Sequence, residues 1–299
     1  MFKHLLACLL LAGCSASWGA VTFGSAHVLV IDEASGEVLL EKNAATAAPI
    51  ASLTKLMTAM VVLDARQDLG ETIRIDDADM DTLKHTRAGV PVGALLSRET
   101  LLELTLIASD NHAAAALARA YPGGREAFVQ ATQRKIDALG LTRTTLVEPT
   151  GLSPENHSSA LDMARLLQAT QAYPLIAQTT SQRTHSVLVN GQPWAVRNTN
   201  GLVGQPGWDV LASKTGFTNE AGRCLTMRLR AGGRTVIVVL IGALASSVRA
   251  LDALNVRRWL DGEAPLRLAQ QSAPRARPSA RKARAARVVR ATFVVPAQS

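Results

Sequence analysis

ASLTKLMTA, residues 51–59, sets a hydroxyl at Ser52 three positions before an amine at Lys55, at the opening of an apolar run. Residues three apart on a helix share a face, with Cβ atoms about 5–6 Å apart, so the amine can reach the hydroxyl. One reading is an ordinary helix start, with Ser52 as N-cap and Lys55 as a solvated flank. The other is a nucleophile and its base. A serine hydroxyl attacks only when something removes its proton. A lysine can do that only when neutral, and burial or a nearby positive charge lowers its pKa in that direction. A Ser-x-x-Lys pair arises by chance about once in a chain of this length, so the rest of the sequence must decide.

Outward from this stretch, the chain reads as strands at both ends with helices between. Residues 25–32 and 37–41 are β-prone and joined by a turn containing Gly36, which predicts a hairpin. Apolar periodicity predicts helices over 53–65, Arg98–Ile107, Asn111–Tyr121, 125–139 and about 160–171, the last capped by Ser159. Pro122-Gly123-Gly124 and Gly140 supply stops, and 141–159 is loop-rich. From 183 onward come short β-like runs (THSVLV, PWAVRN, LASKTGF, RCLTMRLR and TVIVVLIGA), then a helix over 246–260. The order predicts a mixed α/β fold of the α+β type: one antiparallel sheet built from both chain ends, flanked by helices, with a helical lobe inserted.

The chain has 299 residues, 47% hydrophobic, enough for a sizeable core in one large domain or two lobes. Its net charge of +8 resides in the tail: between Pro265 and Ser299 there are eight Lys and Arg and no acidic residue. The expected tail, 263–299, is rich in Pro, Ala and Arg and too poor in apolar residues to fold. It reads as a solvated segment or as an electrostatic contact with anionic phospholipid or cell-wall polymer. Residues 1–19 have a basic start and a short apolar stretch, the pattern of an export signal. Leu11-Ala12-Gly13-Cys14 offers a competing lipoprotein signal over 1–13, with Cys14 as the lipidated residue. Either route takes the chain out of the cytoplasm, to the periplasm, where nucleic acid is a weak candidate partner. Cys224 stands alone in the expected folded region, in a strand-like run, and reads as a buried inert thiol. The six histidines have no metal-ligand spacing, so no metal or other cofactor is expected.

Two further motifs bear on Ser52 and Lys55. Ser109-Asp110-Asn111 lies between two predicted helices. Any of the three can cap a helix. Alternatively Ser109 relays a proton, and Asn111 binds a peptide carbonyl or holds Lys55. Lys214-Thr215-Gly216 sits late in a strand-like run, where a glycine often marks the close approach of another backbone or of a ligand. Lys214 would add a second positive charge near Lys55 and attract a substrate carboxylate that Thr215 binds, and the amides of Ser52 and Phe217 would form an oxyanion hole.

The triple S-x-x-K, S-D-N and K-T-G marks penicillin-binding proteins and class A β-lactamases. With LKHTRAGVPVGA, SDNHAAAALA, YPGG, VEPTGLS, RNTNGLV and KTGFTNEAGRC, the chain resembles the D-alanyl-D-alanine endopeptidases of the penicillin-binding protein 7 type, related to the low-molecular-mass carboxypeptidases. The likeness spans about residues 25–262, the expected catalytic domain. It implies a serine β-lactamase/transpeptidase-like fold and a peptidoglycan DD-endopeptidase, with D-Ala-D-Ala carboxypeptidase as a related activity, acting through an acyl-serine that penicillin traps. Its partners would be peptidoglycan stem peptides and cross-links, with β-lactams as covalent inhibitors. Residue by residue it implies Ser52 as nucleophile, Lys55 as proton acceptor, Ser109 and Asn111 as the second motif's working residues, and Lys214 in substrate binding; Asp110 receives no chemistry. A β-lactamase needs a deacylating glutamate in a context like E-x-x-L-N, and Glu148, in EPTGLS, lacks it. A non-hydrolysing, penicillin-acylated sensor or scaffold is the non-enzyme alternative.

Overall fold

The computed structural model describes residues 21–86 and 89–266. The two export signals, Cys14 and the tail from residue 267 lie outside the described residues.

The chain opens with the expected hairpin, β1 (His27–Asp32) and β2 (Val38–Lys42). The Asp32 carboxylate fixes the turn by accepting the amides of Ala34 and Ser35, both at 3.1 Å. After β3 (Ala48–Pro49), a 3-10 turn over Ala51–Thr54 carries Ser52 and leads into α1 (Lys55–Asp64). The lobe follows: β4 (Thr72–Arg74) pairs with β5 (Leu95–Ser97), and α2 (Arg98–Glu103) runs into a π-turn, Leu104–Ala108, before α3 (Asn111–Arg119) and α4 (Gly124–Ala138). The loop beyond α4 returns through β6 (His157–Ser158), which pairs with β3, to α5 (Ala160–Ala169). The Ser159 hydroxyl accepts the Asp162 amide at 3.1 Å, the predicted cap.

Then come α6 (Pro174–Thr180), the hairpin of β7 (Thr184–Val189) and β8 (Gln192–Arg197), the long strands β9 (Asp209–Thr218), β10 (Gly222–Ala231) and β11 (Arg234–Ala243), and α7 (Ser246–Leu260). Residues 172–182 had no sequence assignment, and α6 occupies most of them. It opens with Pro174 at its first position, where a missing N–H costs nothing.

The main sheet has the order β2-β1-β11-β10-β9, every pair antiparallel, so both chain ends build it as expected. Its central strand explains the unbroken apolar run TVIVVLIGA. Ile237, Val239 and Ile241 face one core with α1, α3 and α5. Val236, Val238 and Leu240 face a second core with Ala253 and Val256 of α7. A strand covered on both faces loses polar alternation. Strand β9, which carries Lys214-Thr215-Gly216, is left at the sheet edge. Cys224, on β10, is fully buried, and burial pushes its thiol up to about 11, so it is protonated and unreactive at neutral pH.

The start of the domain is pinned to its last helix. Asp252 of α7 accepts the amides of Gly24 (2.9 Å) and Ser25 (2.7 Å) and the Ser25 hydroxyl (2.6 Å), the two Ser25 bonds being buried. Removing that carboxylate orphans buried donors, each costing roughly 1–3 kcal/mol. Asp252→Ala should therefore lose about 3 kcal/mol, read as a lower urea midpoint with an unchanged m-value; a midpoint within experimental error of wild type contradicts the clamp.

Candidate active site

The turn bearing Ser52 is built by close backbone approach. Ala51 has φ +48°, unusual for a residue with a Cβ. It is wedged between two glycines from distant segments. A Cβ on Gly151 would lie 2.0 Å from the Ala51 carbonyl oxygen, and one on Gly216 would lie 3.0 Å from the Ser52 nitrogen. Gly151 also has φ +82°. Lys214-Thr215-Gly216 thus meets Ser-x-x-Lys through backbone, and Gly216 serves the close approach that its place in a strand implied.

Lys55 starts α1 and is fully buried. Its Nζ lies 3.0 Å from Ser52 Oγ, 2.7 Å from Asn111 Oδ1 and 2.6 Å from the Thr150 carbonyl oxygen. Three acceptors match the three N–H donors of an ammonium. Burial pushes the lysine down to about 8, against the upward pull of Glu148, Asp110 and Asp81. The sequence reading gave that depression to Lys214 as well as to burial. The structure assigns the like-charge effect the other way: Lys214 falls well below its usual range, through burial first and then through Lys55 and Arg249. Two buried amines that feel each other's charge do not both hold a proton easily, and Lys214 has the fewer partners, its Nζ donating to the Thr215 carbonyl at 3.0 Å.

The second motif divides its labour. Asn111 is the one that touches Lys55. Asp110 is the helix cap: Oδ1 accepts the Ala113 amide at 2.9 Å, and Oδ2 accepts the amides of Gly89 (2.7 Å) and Val90 (3.1 Å). Ser109 adopts a left-handed backbone, φ +59°, where the π-turn ends, a strained placement of the kind found at functional sites. With Asn111 and Trp194 it lines a cavity of about 140 Å³. Among the described residues, no side-chain hydrogen bond joins Ser109 to Ser52 or Lys55. The Thr215 hydroxyl donates to Thr199 Oγ1 at 2.7 Å. Phe217 is half exposed, with the Arg223 guanidinium 3.5 Å from its ring centroid.

Three contributors were not assigned their roles by the sequence reading. Thr150 acts through its carbonyl, which no side-chain motif reports. Glu148 shapes that loop: Oε2 accepts the Thr150 amide and Oε1 the Gly151 amide, both at 2.6 Å, and Oε1 also accepts Asn156 Nδ2 at 3.1 Å. Its oxygens are occupied by the loop. Arg249 of α7 donates to the Cys224 carbonyl at 3.0 Å and adds positive potential near Lys214. The only hint of the loop was VEPTGLS, which carried likeness without showing roles.

A family model described as D-alanyl-D-alanine carboxypeptidase, peptidase S11, matches residues 15–245. The chain is 44% identical over 239 residues to a D-alanyl-D-alanine endopeptidase of Pseudomonas aeruginosa, covering 79% of this chain and 77% of that protein. It is 39% identical over 252 residues to the D-alanyl-D-alanine endopeptidase of Escherichia coli, covering 84% and 81%. An Escherichia coli D-alanyl-D-alanine carboxypeptidase is 28% identical, with 77% of this chain and 59% of that protein covered. In fold, a mutant of the Streptomyces K15 DD-transpeptidase superposes with a TM-score of 0.74 at 24% identity, over 81% of this chain and all of that one.

A methyl group at position 151 must displace the Ser52 turn, besides the roughly 1–2 kcal/mol of left-handed backbone strain. Gly151→Ala should lower the urea midpoint by an amount corresponding to more than about 2 kcal/mol and slow modification of Ser52. Wild-type stability and reactivity together would show that the loop yields freely.

Proposed function

The chain belongs to the peptidase S11 family of D-alanyl-D-alanine carboxypeptidases, and we propose that within it the protein is a serine DD-endopeptidase that hydrolyses D-alanyl cross-links of peptidoglycan. Carboxypeptidase cleavage of D-Ala-D-Ala ends uses the same chemistry. The observation that carries the acyl-transfer reading is the three-point hold on a buried lysine next to a serine. The endopeptidase preference rests on the 44% and 39% identical relatives, both named for that activity and both covered over most of their length.

The proposed steps follow from the geometry. Neutral Lys55 keeps its two hydrogens on the Asn111 and Thr150 oxygens, because neither can donate back from that atom. Its lone pair is then aimed at Ser52 Oγ, 3.0 Å away. Lys55 takes the Ser52 proton as Oγ bonds to the D-alanyl carbonyl carbon. The tetrahedral oxyanion sits at the amides of Ser52 and Phe217. The C–N bond breaks, and Ser109 with Lys55 returns a proton to the leaving amine. Water then hydrolyses the acyl-serine, freeing the carboxylate and restoring the hydroxyl. Lys214 and Thr215 draw in a substrate carboxylate, and Gly216 lets the chain approach the free edge of β9. A β-lactam follows the same path as far as the acyl-enzyme. Glu148, with its oxygens taken up by the loop, is poorly placed to activate water as a β-lactamase would require.

Cross-linked peptidoglycan lies outside the cytoplasm, so the reading includes export by the 1–19 signal, or lipid anchoring at Cys14 by the shorter one. Among the described residues no helix is long and apolar enough to cross a membrane. The tail 263–299, with eight basic residues from Pro265 on and no acidic ones there, fits contact with an anionic membrane or wall polymer.

Intact mass after mixing with benzylpenicillin, beside digestion of cross-linked muropeptide dimers, tests the assignment. Wild type should form a persistent adduct and convert dimers to monomers. Ser52→Ala should do neither. Lys55→Arg should lose nearly as much, because a guanidinium holds its proton at any working pH. An adduct without dimer cleavage would point to the sensor or to a carboxypeptidase. Rapid penicillin loss would point to a β-lactamase. Because Lys55 must be neutral, acylation should rise with pH along a one-proton limb centred near 8; a flat profile across that range would remove Lys55 as the base.

A further inference from the structure

The lobe segment Asp81–Thr86 touches the site without containing any of its motifs. Asn111 Nδ2 donates to Thr86 Oγ1 at 2.7 Å. The Thr86 hydroxyl in turn donates to Asp81 Oδ2 at 2.6 Å. A carboxylate only accepts, so the Thr86 proton is committed to Asp81, and the lone pairs of Thr86 Oγ1 remain for a donor. The amide end of Asn111 that faces Thr86 must therefore be its NH2, and the end that faces Lys55 must be its oxygen. With the amide reversed, Nδ2 would meet the Lys55 amine donor against donor. Asp81 is itself held in place: Oδ1 accepts the amides of Leu83 (2.8 Å) and Lys84 (2.9 Å), and Oδ2 also accepts the Thr86 amide at 2.8 Å. The same turn is tied across to the β9–β10 connection, where Lys84 pairs with Glu220.

We propose that Thr86 and Asp81 are positioning residues that fix the orientation of the Asn111 amide, and through it the direction in which Lys55 presents its lone pair to Ser52. The relay rests on the reading of Ser52 and Lys55 as the acylating pair. It lies at the surface, so each bond competes with water, and the effect of losing one is moderate rather than total. The charged groups acting on Lys55 are Glu148, Asp110 and Asp81, and Lys55 in turn acts on Lys214.

The test follows benzylpenicillin acylation of the full chain against pH in wild type, Thr86→Val, Thr86→Ser, Asp81→Asn and Ser52→Ala, with a melting temperature for each. Thr86→Val should lower the high-pH plateau rate about tenfold with little change in melting temperature. Thr86→Ser, which keeps the hydroxyl, should stay within about twofold. Asp81→Asn should move the acid limb to lower pH, because a negative charge and a held acceptor both favour the protonated lysine, and both are weakened. A purely structural role would not move that limb. The proposal is overturned by a wild-type plateau in Thr86→Val, by Thr86→Ser as slow as Thr86→Val, or by an unmoved limb in Asp81→Asn. Should Thr86→Val lose its melting transition, Thr86→Ala takes its place and is read by the same plateau. An adduct on Ser52→Ala would instead sink the acyl-serine reading. Its absence there, beside an unaffected Thr86→Val, would sink the relay only.

Discussion

Everything at this site depends on keeping the Lys55 amine out of water. Removing an ammonium from solvent costs several kcal/mol unless its hydrogens are met. The chain meets them from three places: the adjacent turn, the inserted lobe and the loop before β6. That demand explains why the lobe cannot be an independent module. Asn111 must come down onto α1 from one side and the Thr150 carbonyl from the other. The capping carboxylate of Asp110 and the loop-binding carboxylate of Glu148 hold those two acceptors where the amine needs them.

The second constraint is steric and concerns backbone alone. Ser52 must stand at the opening of α1 with its amide toward the edge of β9, and the turn that does this leaves no room for side chains at 151 and 216. The two glycines therefore have different reasons. Gly151 needs both a left-handed φ and an absent Cβ, whereas Gly216 needs only the absence. Pressed from both sides, the turn gains rigidity, which suits the preorganised nucleophile and amide donor proposed for Ser52.

The sequence displayed side-chain chemistry and hid backbone chemistry. Ser52, Lys55, Asn111 and Lys214 were legible as types at spacings, and the sheet built from both chain ends was legible from where the β-prone runs fall. The Thr150 carbonyl was not, because any residue supplies one. Nor was the role of Thr86, which lies within LKHTRAGVPVGA but whose partners lie 5 and 25 positions away. The helix α6 was missed because its seven residues hold too few turns for an apolar stripe to emerge. A cap was legible somewhere in Ser109-Asp110-Asn111, but not that Asp110 supplies it or holds Gly89 and Val90, since that depends on how the lobe folds back.

The balance of forces on Lys55 also explains why the acids around it are there. Burial lowers a lysine, and at Lys214 the charges of Lys55 and Arg249 push in the same direction. A lysine whose pKa falls too far becomes a feeble acceptor for a serine proton. Glu148, Asp110 and Asp81 pull Lys55 back to about 8. There it is partly neutral at mildly alkaline pH and basic enough for the proton transfer proposed above, the compromise that general-base efficiency favours. The same three carboxylates that position the loop, the helix and the outer turn thus also tune the amine, so geometry and basicity at this site are set by one group of residues.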